Sequence, residues 1–108
     1  MLVFVIPIKS AQVSQSWEQV SSLFERCIRS VCAQTSQQFQ VIAVCHERPT
    51  IHYQHPAVTY VEVDYPLIPT VTGNTQLRYK RHDKCRKIWT GLRAAEQFAP
   101  SHVMFVDA

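Results

Sequence analysis

Short apolar runs alternate with longer polar stretches along this chain, and the spacing of the apolar positions predicts its elements. Leu2-Val3-Phe4-Val5-Ile6-Pro7-Ile8 is a β-rich run that closes around a proline. Proline cannot donate to a ladder, so a first strand should end there. Ser16 is followed three residues later by Gln19, the capping-box pattern. Val20, Leu23, Phe24, Cys27, Ile28, Val31 and Cys32 then recur at helical spacing, predicting one apolar stripe on a surface helix from about Trp17 to Gln34. Phe39 to Cys45 reads as a second strand, and Val58 to Val63, ending at Asp64, as a third. Pro66, Pro69, Gly73 and Asn74 mark a long loop after the third strand. Loops of that length in a small domain are usually functional or mobile. A second helix is expected from His82 or Asp83, with Cys85, Ile88, Trp89, Leu92 and Ala95 as its apolar face and Pro100 as its stop. His102 to Val106 closes the series as a continuous apolar run, the form taken by buried strands of parallel sheets. It delivers a single carboxylate, Asp107.

A strand, a helix and a strand with short connections form a βαβ unit, which is right-handed and places its strands parallel. The chain is therefore expected to be α/β, one domain over residues 1–108. Open α/β sheets bind ligands just outside the carboxyl ends of their strands. That rule singles out Pro7, Ile8 and Lys9 after the first strand, Glu47 after the second, Asp64 after the third and Asp107 after the fourth.

Composition narrows the classes further. With 46% apolar and 18% charged residues and only 2 glycines, the chain lacks the low hydrophobicity of disordered proteins. No apolar run approaches the roughly 18 residues of a membrane helix. The N-terminal run is too short, and has no basic start, for a secretory signal, so a cytoplasmic location is expected. Cys27, Cys32, Cys45 and Cys85 show no CxxC spacing and read as free thiols acting as small hydrophobes. The five histidines show no structural-zinc spacing. Dinucleotide, Walker A and serine-hydrolase signatures are all missing. The net charge of +3 is too small to argue for nucleic acid. Even so, Arg78, Lys80, Arg81, Lys84, Arg86 and Lys87 fall within ten residues, diluted only by Asp83, and such a run suggests an anionic partner.

Five stretches carry a resemblance. They are Val5-Ile6-Pro7, then Cys27-Ile28-Arg29-Ser30-Val31-Cys32-Ala33-Gln34-Thr35, then Val41-Ile42-Ala43-Val44-Cys45, then Asp83-Lys84 followed by Gly91-Leu92-Arg93-Ala94-Ala95, and finally Met104-Phe105-Val106-Asp107-Ala108. In that order they resemble the N-terminal half of a family 2 glycosyltransferase, the inverting GT-A type. The endings at Gln34-Thr35 and at Val106-Asp107-Ala108 are the more specific pieces. The resemblance implies a three-layer α/β/α, Rossmann-like half-domain of the nucleotide-diphospho-sugar transferases. Its sheet would be mostly parallel, of about four strands ordered 3-2-1-4, with a UDP- or GDP-sugar over the strand ends. It further implies that the backbone of Pro7, Ile8 and Lys9 lines the base pocket and that Glu47 and Asp64 touch the base. Lys84, with Arg81 and Arg86, would face the diphosphate from the start of the second helix, where unpaired N–H groups and the dipole favour anions. Asp107 would help hold a divalent cation, Mg or Mn, on the leaving diphosphate.

The chain departs from the pattern in three places. Cys45-His46-Glu47 stands where the family usually has acidic residues, Trp89 stands where it often has Asn, and the second aspartate of its Asp-x-Asp motif would follow Ala108. The family's acceptor site and catalytic base lie further on. The expectation is a donor-binding part with no catalytic residue of its own, so that these 108 residues alone turn over no substrate. The rival reading is a non-catalytic truncated α/β domain that self-associates, as a homodimer, through an open sheet edge, or that binds a nucleotide for regulation.

Overall fold

Each apolar run becomes a strand, and the strands assemble around the first. The computed structural model describes residues 1–11, 16–33, 38–64 and 74–107, the side chains of 74–83 excepted. The elements are β1 (Leu2–Pro7), α1 (Trp17–Cys32), β2 (Phe39–Cys45), β3 (Val58–Glu62), α2 (Asn74–Ala95), a 3-10 turn (Glu96–Phe98) and β4 (His102–Phe105). The strands form one four-stranded sheet in the order β3-β2-β1-β4, and every pairing is parallel. Together with the two helices this is a small α/β, Rossmann-like domain. Boundaries fall within two residues of those expected, except at the start of α2. Gln34, and the loop residues Pro66, Pro69 and Gly73, lie outside the described residues.

Side chains alternate across a strand, so the central strands feed two cores. Phe4, Ile6, Phe39, Val41, Ala43 and Cys45 meet Phe24, Ile28 and Cys32 of α1 on one face. Val3, Val5, Ile42 and Val44 meet Ala95 of α2 on the other. Val3, Val5, Ile6, Val41, Ile42 and Val44 are all fully buried, which is why β1 and β2 read as unbroken apolar runs.

α1 begins as expected, with the Ser16 side chain accepting from the Gln19 N–H at 3.2 Å. Its buried side is shifted from the expected stripe. Leu23 is 42% exposed, whereas Ser21 is buried and its hydroxyl accepts from the Thr50 N–H at 3.1 Å. The segment after β2 lies along this side of α1. There the Glu25 carboxylate accepts from the Tyr53 and His52 N–H groups at 3.0 and 2.9 Å. Those two bonds, Tyr53's first, hold the Glu25 carboxyl below its usual range.

α2 requires two corrections. It begins at Asn74 rather than at His82 or Asp83. Residues 74–81 are mostly good helix formers but have no apolar stripe, so periodicity does not reveal them. The helix also lies on a different face. Trp89 is 63% exposed and Cys85 is exposed, while Lys87, Gly91 and Ala95, one turn apart, are buried. The reason is close packing. A Cβ built on Gly91 would stand 2.3 Å from Val5 Cγ1 and 3.3 Å from Val44 Cγ2, so α2 rests on the sheet through its small residues. The larger apolar side chains Ile88 and Leu92 flank that line, half-buried.

Past α2 the chain reverses through Ala99, which takes a left-handed conformation at φ 44° while its N–H donates to the Glu96 carbonyl. β4 is not the buried strand expected from its composition. Among the described residues β1 is its one neighbour, and Met104 and Phe105 remain 50% and 47% exposed.

Candidate ligand-binding edge

The strand order creates a switch point. From β1 the chain passes to β2 and β3 on one side, then returns to β4 on the other. At such a point the connections leave the sheet in opposite directions and open a crevice at the carboxyl ends, here those of β1 and β4. Pro7, Ile8 and Lys9 stand at the end of β1 and Asp107 just past the end of β4. The ladder continues into both segments, with Ile8 N–H donating to the Val44 carbonyl at 2.8 Å and Val106 N–H to the Val5 carbonyl at 3.0 Å.

α2 lies beside these strand ends. It runs down from the carboxyl edge, so Lys84 reaches Asp107, Lys87 reaches Ile8 and Gly91 lies against Val5. The ten residues before Lys84 add about 15 Å of helix beyond the strand ends. Lys84 is thus in the middle of the helix, and the expectation that it acts from the helix start is corrected. Helix-terminal N–H groups do not contribute near Lys84, because the dipole effect fades within the first turn. The side chain of Arg81 lies outside the described residues, and Arg86 is exposed.

Lys84 Nζ and Asp107 Oδ1 are 2.5 Å apart, with side chains 49% and 75% exposed. An exposed pair of this kind is worth about 0–1 kcal/mol, so it ties α2 to β4 only weakly. Octahedral cations such as Mg²⁺ need about six oxygen ligands. Asp107 supplies two at most, one already facing Lys84. Among the described residues no group of three His, Cys, Asp or Glu side chains is placed to hold a metal ion. These residues do not by themselves fit a divalent cation.

Glu47 follows β2 and is half-buried. Its carboxylate accepts from the Ala11 N–H in a short hydrogen bond. One of its oxygens therefore holds the segment after β1, a structural task that the sequence does not suggest. Asp64 is exposed at the end of the outer strand, β3. Two strand spacings, about 10 Å, separate β3 from β1, so Asp64 stands apart from the switch point. The structure thus gathers Pro7, Ile8, Lys9, Glu47, Lys84 and Asp107 around the ends of β1 and β4, and leaves Asp64 outside.

One residue at this edge departs from the pattern of its neighbours. Lys87 belongs to the basic run, yet it is 1% exposed, and its Nζ donates to the Ile8 carbonyl at 2.7 Å. Ser10, in the same turn, is also 1% exposed. The single available signal in the sequence is position, since Lys87 lies one helical turn before Gly91. At the carboxyl end of β2, burial raises the Cys45 thiol to about 11, with Glu62 adding to the shift and Lys87 opposing it. This thiol stays protonated at neutral pH and is no nucleophile. All four cysteines are free thiols, and Cys85 is exposed.

Among the described residues no helix is long and apolar enough to cross a membrane. No family model, no curated protein and no solved structure matches the chain.

Proposed function

We propose that this domain binds a nucleotide-diphosphate sugar at the carboxyl edge of its sheet, as the donor-binding part of an inverting, family 2-like glycosyltransferase. One observation carries the reading: the ends of β1 and β4, at the switch point, bear Pro7, Ile8 and Lys9 on one side and the Lys84–Asp107 pair on the other. These are the positions that the resemblance assigns to base and diphosphate. The roles follow from chemistry. Backbone groups of residues 7–9 offer fixed donors and acceptors to a planar base. Lys84 offers a cation to the diphosphate, whose approach would exchange the weak bond to Asp107 for a doubly charged partner. Titration calorimetry with uridine, guanosine and cytidine diphosphates, each with and without Mn²⁺, tests the proposal. Binding of one of them, weakened in Lys84→Ala, is the expected result. No heat with any of them, in either buffer, would remove the reading.

A second reading has its own support. Met104 and Phe105 leave β4 apolar and open at the sheet edge, a surface suited to pairing with a second copy. Light scattering separates the two: a monomer at all concentrations argues against self-association.

A further inference from the structure

We infer that Lys87 is a positioning residue for the ligand at the switch point, acting through the Ile8 carbonyl; this rests on the nucleotide-diphosphate reading of that edge. A lysine is almost never fully buried without a partner, because its ammonium loses its hydration there. Lys87 is 1% exposed and bonds a backbone carbonyl at 2.7 Å. A site that merely needed filling would accept an apolar side chain of similar length. Instead, a cation is carried on the sheet-facing side of α2 to the end of the central strand. Gly91 makes this reach feasible, because α2 can lie close to Val5 and Val44 one turn below.

The turn after β1 is held from three directions. β2 holds it through Ile8 N–H to the Val44 carbonyl, α2 through Lys87 Nζ to the Ile8 carbonyl, and the segment after β2 through Ala11 N–H to Glu47. Backbone recognition depends on such fixing, since a turn that must order itself on binding loses affinity to entropy. The Lys87 charge adds an electronic effect. An ammonium on the Ile8 carbonyl polarises the peptide to Lys9, so the Lys9 N–H becomes a stronger donor. Lys87 thereby strengthens recognition of an acceptor-bearing base without touching it.

The test compares the parent with Lys87→Met and Lys87→Arg. Urea midpoints report stability, and calorimetric titration with uridine and guanosine diphosphates, with and without Mn²⁺, reports binding. Lys87→Met keeps the side-chain length but leaves the Ile8 carbonyl without this donor, so the midpoint should fall modestly while the domain stays folded. Its Kd should rise about tenfold or more, equivalent to about 1.4 kcal/mol. Lys87→Arg, which keeps the charge, should bind more tightly than Lys87→Met. A lower midpoint with an unchanged Kd in Lys87→Met would mark Lys87 as structural and overturn the inference, leaving the site reading intact. If Lys87→Met does not fold, Lys87→Gln, which removes the charge and keeps a polar end, decides: a Kd raised about tenfold supports the role, and parent-like binding overturns it. A parent that binds neither nucleotide removes both the inference and the reading beneath it.

Discussion

Adding a single methyl group at Gly91 tests the packing that sets α2 against the sheet. In Gly91→Ala the new Cβ would lie 2.3 Å from Val5 Cγ1, 3.4 Å from Val5 Cβ and 3.3 Å from Val44 Cγ2. Ordinary carbon contacts are about 3.5–4.0 Å, so more than 1 Å must be found. Val5 is fully buried and β-branched, and rotating it moves one methyl away while bringing the other round. The remaining relief is for α2 to rise from the sheet, which loosens Ala95 and stretches the Lys87–Ile8 bond. Overpacking of this kind costs about 1–3 kcal/mol. Helix propensity opposes it, because Ala is better than Gly by about 0.8–1.0 kcal/mol inside a helix. With so short a contact the upper part of the first range applies, leaving a net loss of about 1–2 kcal/mol. Urea unfolding followed by circular dichroism should show a midpoint lowered by about 1 M at unchanged slope. Val5→Ala alone removes buried methyl groups and should cost about 2 kcal/mol. The double variant should lose at least about 1 kcal/mol less than the sum, because the new methyl enters the space Val5 vacates. Additivity within about 0.5 kcal/mol, or a Gly91→Ala protein more stable than the parent, would refute this account of the α2–sheet contact.

Two further outcomes rest on local physics. Cys45 is raised from an ordinary 9.0 to about 11 by burial, so the unfolded chain ionises this thiol first and stability should fall as pH rises between those values. The loss should reach about 2–3 kcal/mol, and unfolding free energies measured across that range should decline less steeply in Cys45→Ala. Ala99 sits at φ 44°, a conformation costly for any residue with a Cβ. Ala99→Gly should therefore raise the thermal midpoint, by an amount equivalent to about 1 kcal/mol, and an unchanged or lower midpoint would show the turn to be unstrained.

Much of the fold was legible in the sequence because its signals are local. Continuous apolar runs mark strands buried on both faces, which holds for Leu2–Pro7 and Phe39–Cys45. Ser16 with Gln19 marks the start of α1, and Pro100 stands just beyond the end of the second helical segment. The carboxyl-edge positions of Pro7, Ile8, Lys9, Glu47, Asp64 and Asp107 follow from strand ends alone. By contrast, the strand order 3-2-1-4 came from the resemblance rather than from periodicity, since four apolar runs do not state their neighbours.

Tertiary structure decided the rest, for reasons no local pattern contains. Burial of β4 depends on what lies beside it, and with β1 as its one neighbour among the described residues Met104 and Phe105 stay open to solvent despite their hydrophobicity. The face of α2 depends on how near the helix can come: Gly91 leaves no room for a side chain against Val5 and Val44, Ala95 packs in the same cluster, and Trp89 is left on the outer side. Partner choice is likewise non-local: Lys84 meets Asp107, Glu47 meets the Ala11 N–H, and Lys87, indistinguishable in sequence from its basic neighbours, is drawn inside to the Ile8 carbonyl. Sequence determined which residues reach the carboxyl edge, and the packing of α2 determined which of them are held there, because a charge that is buried must find its partner across the fold.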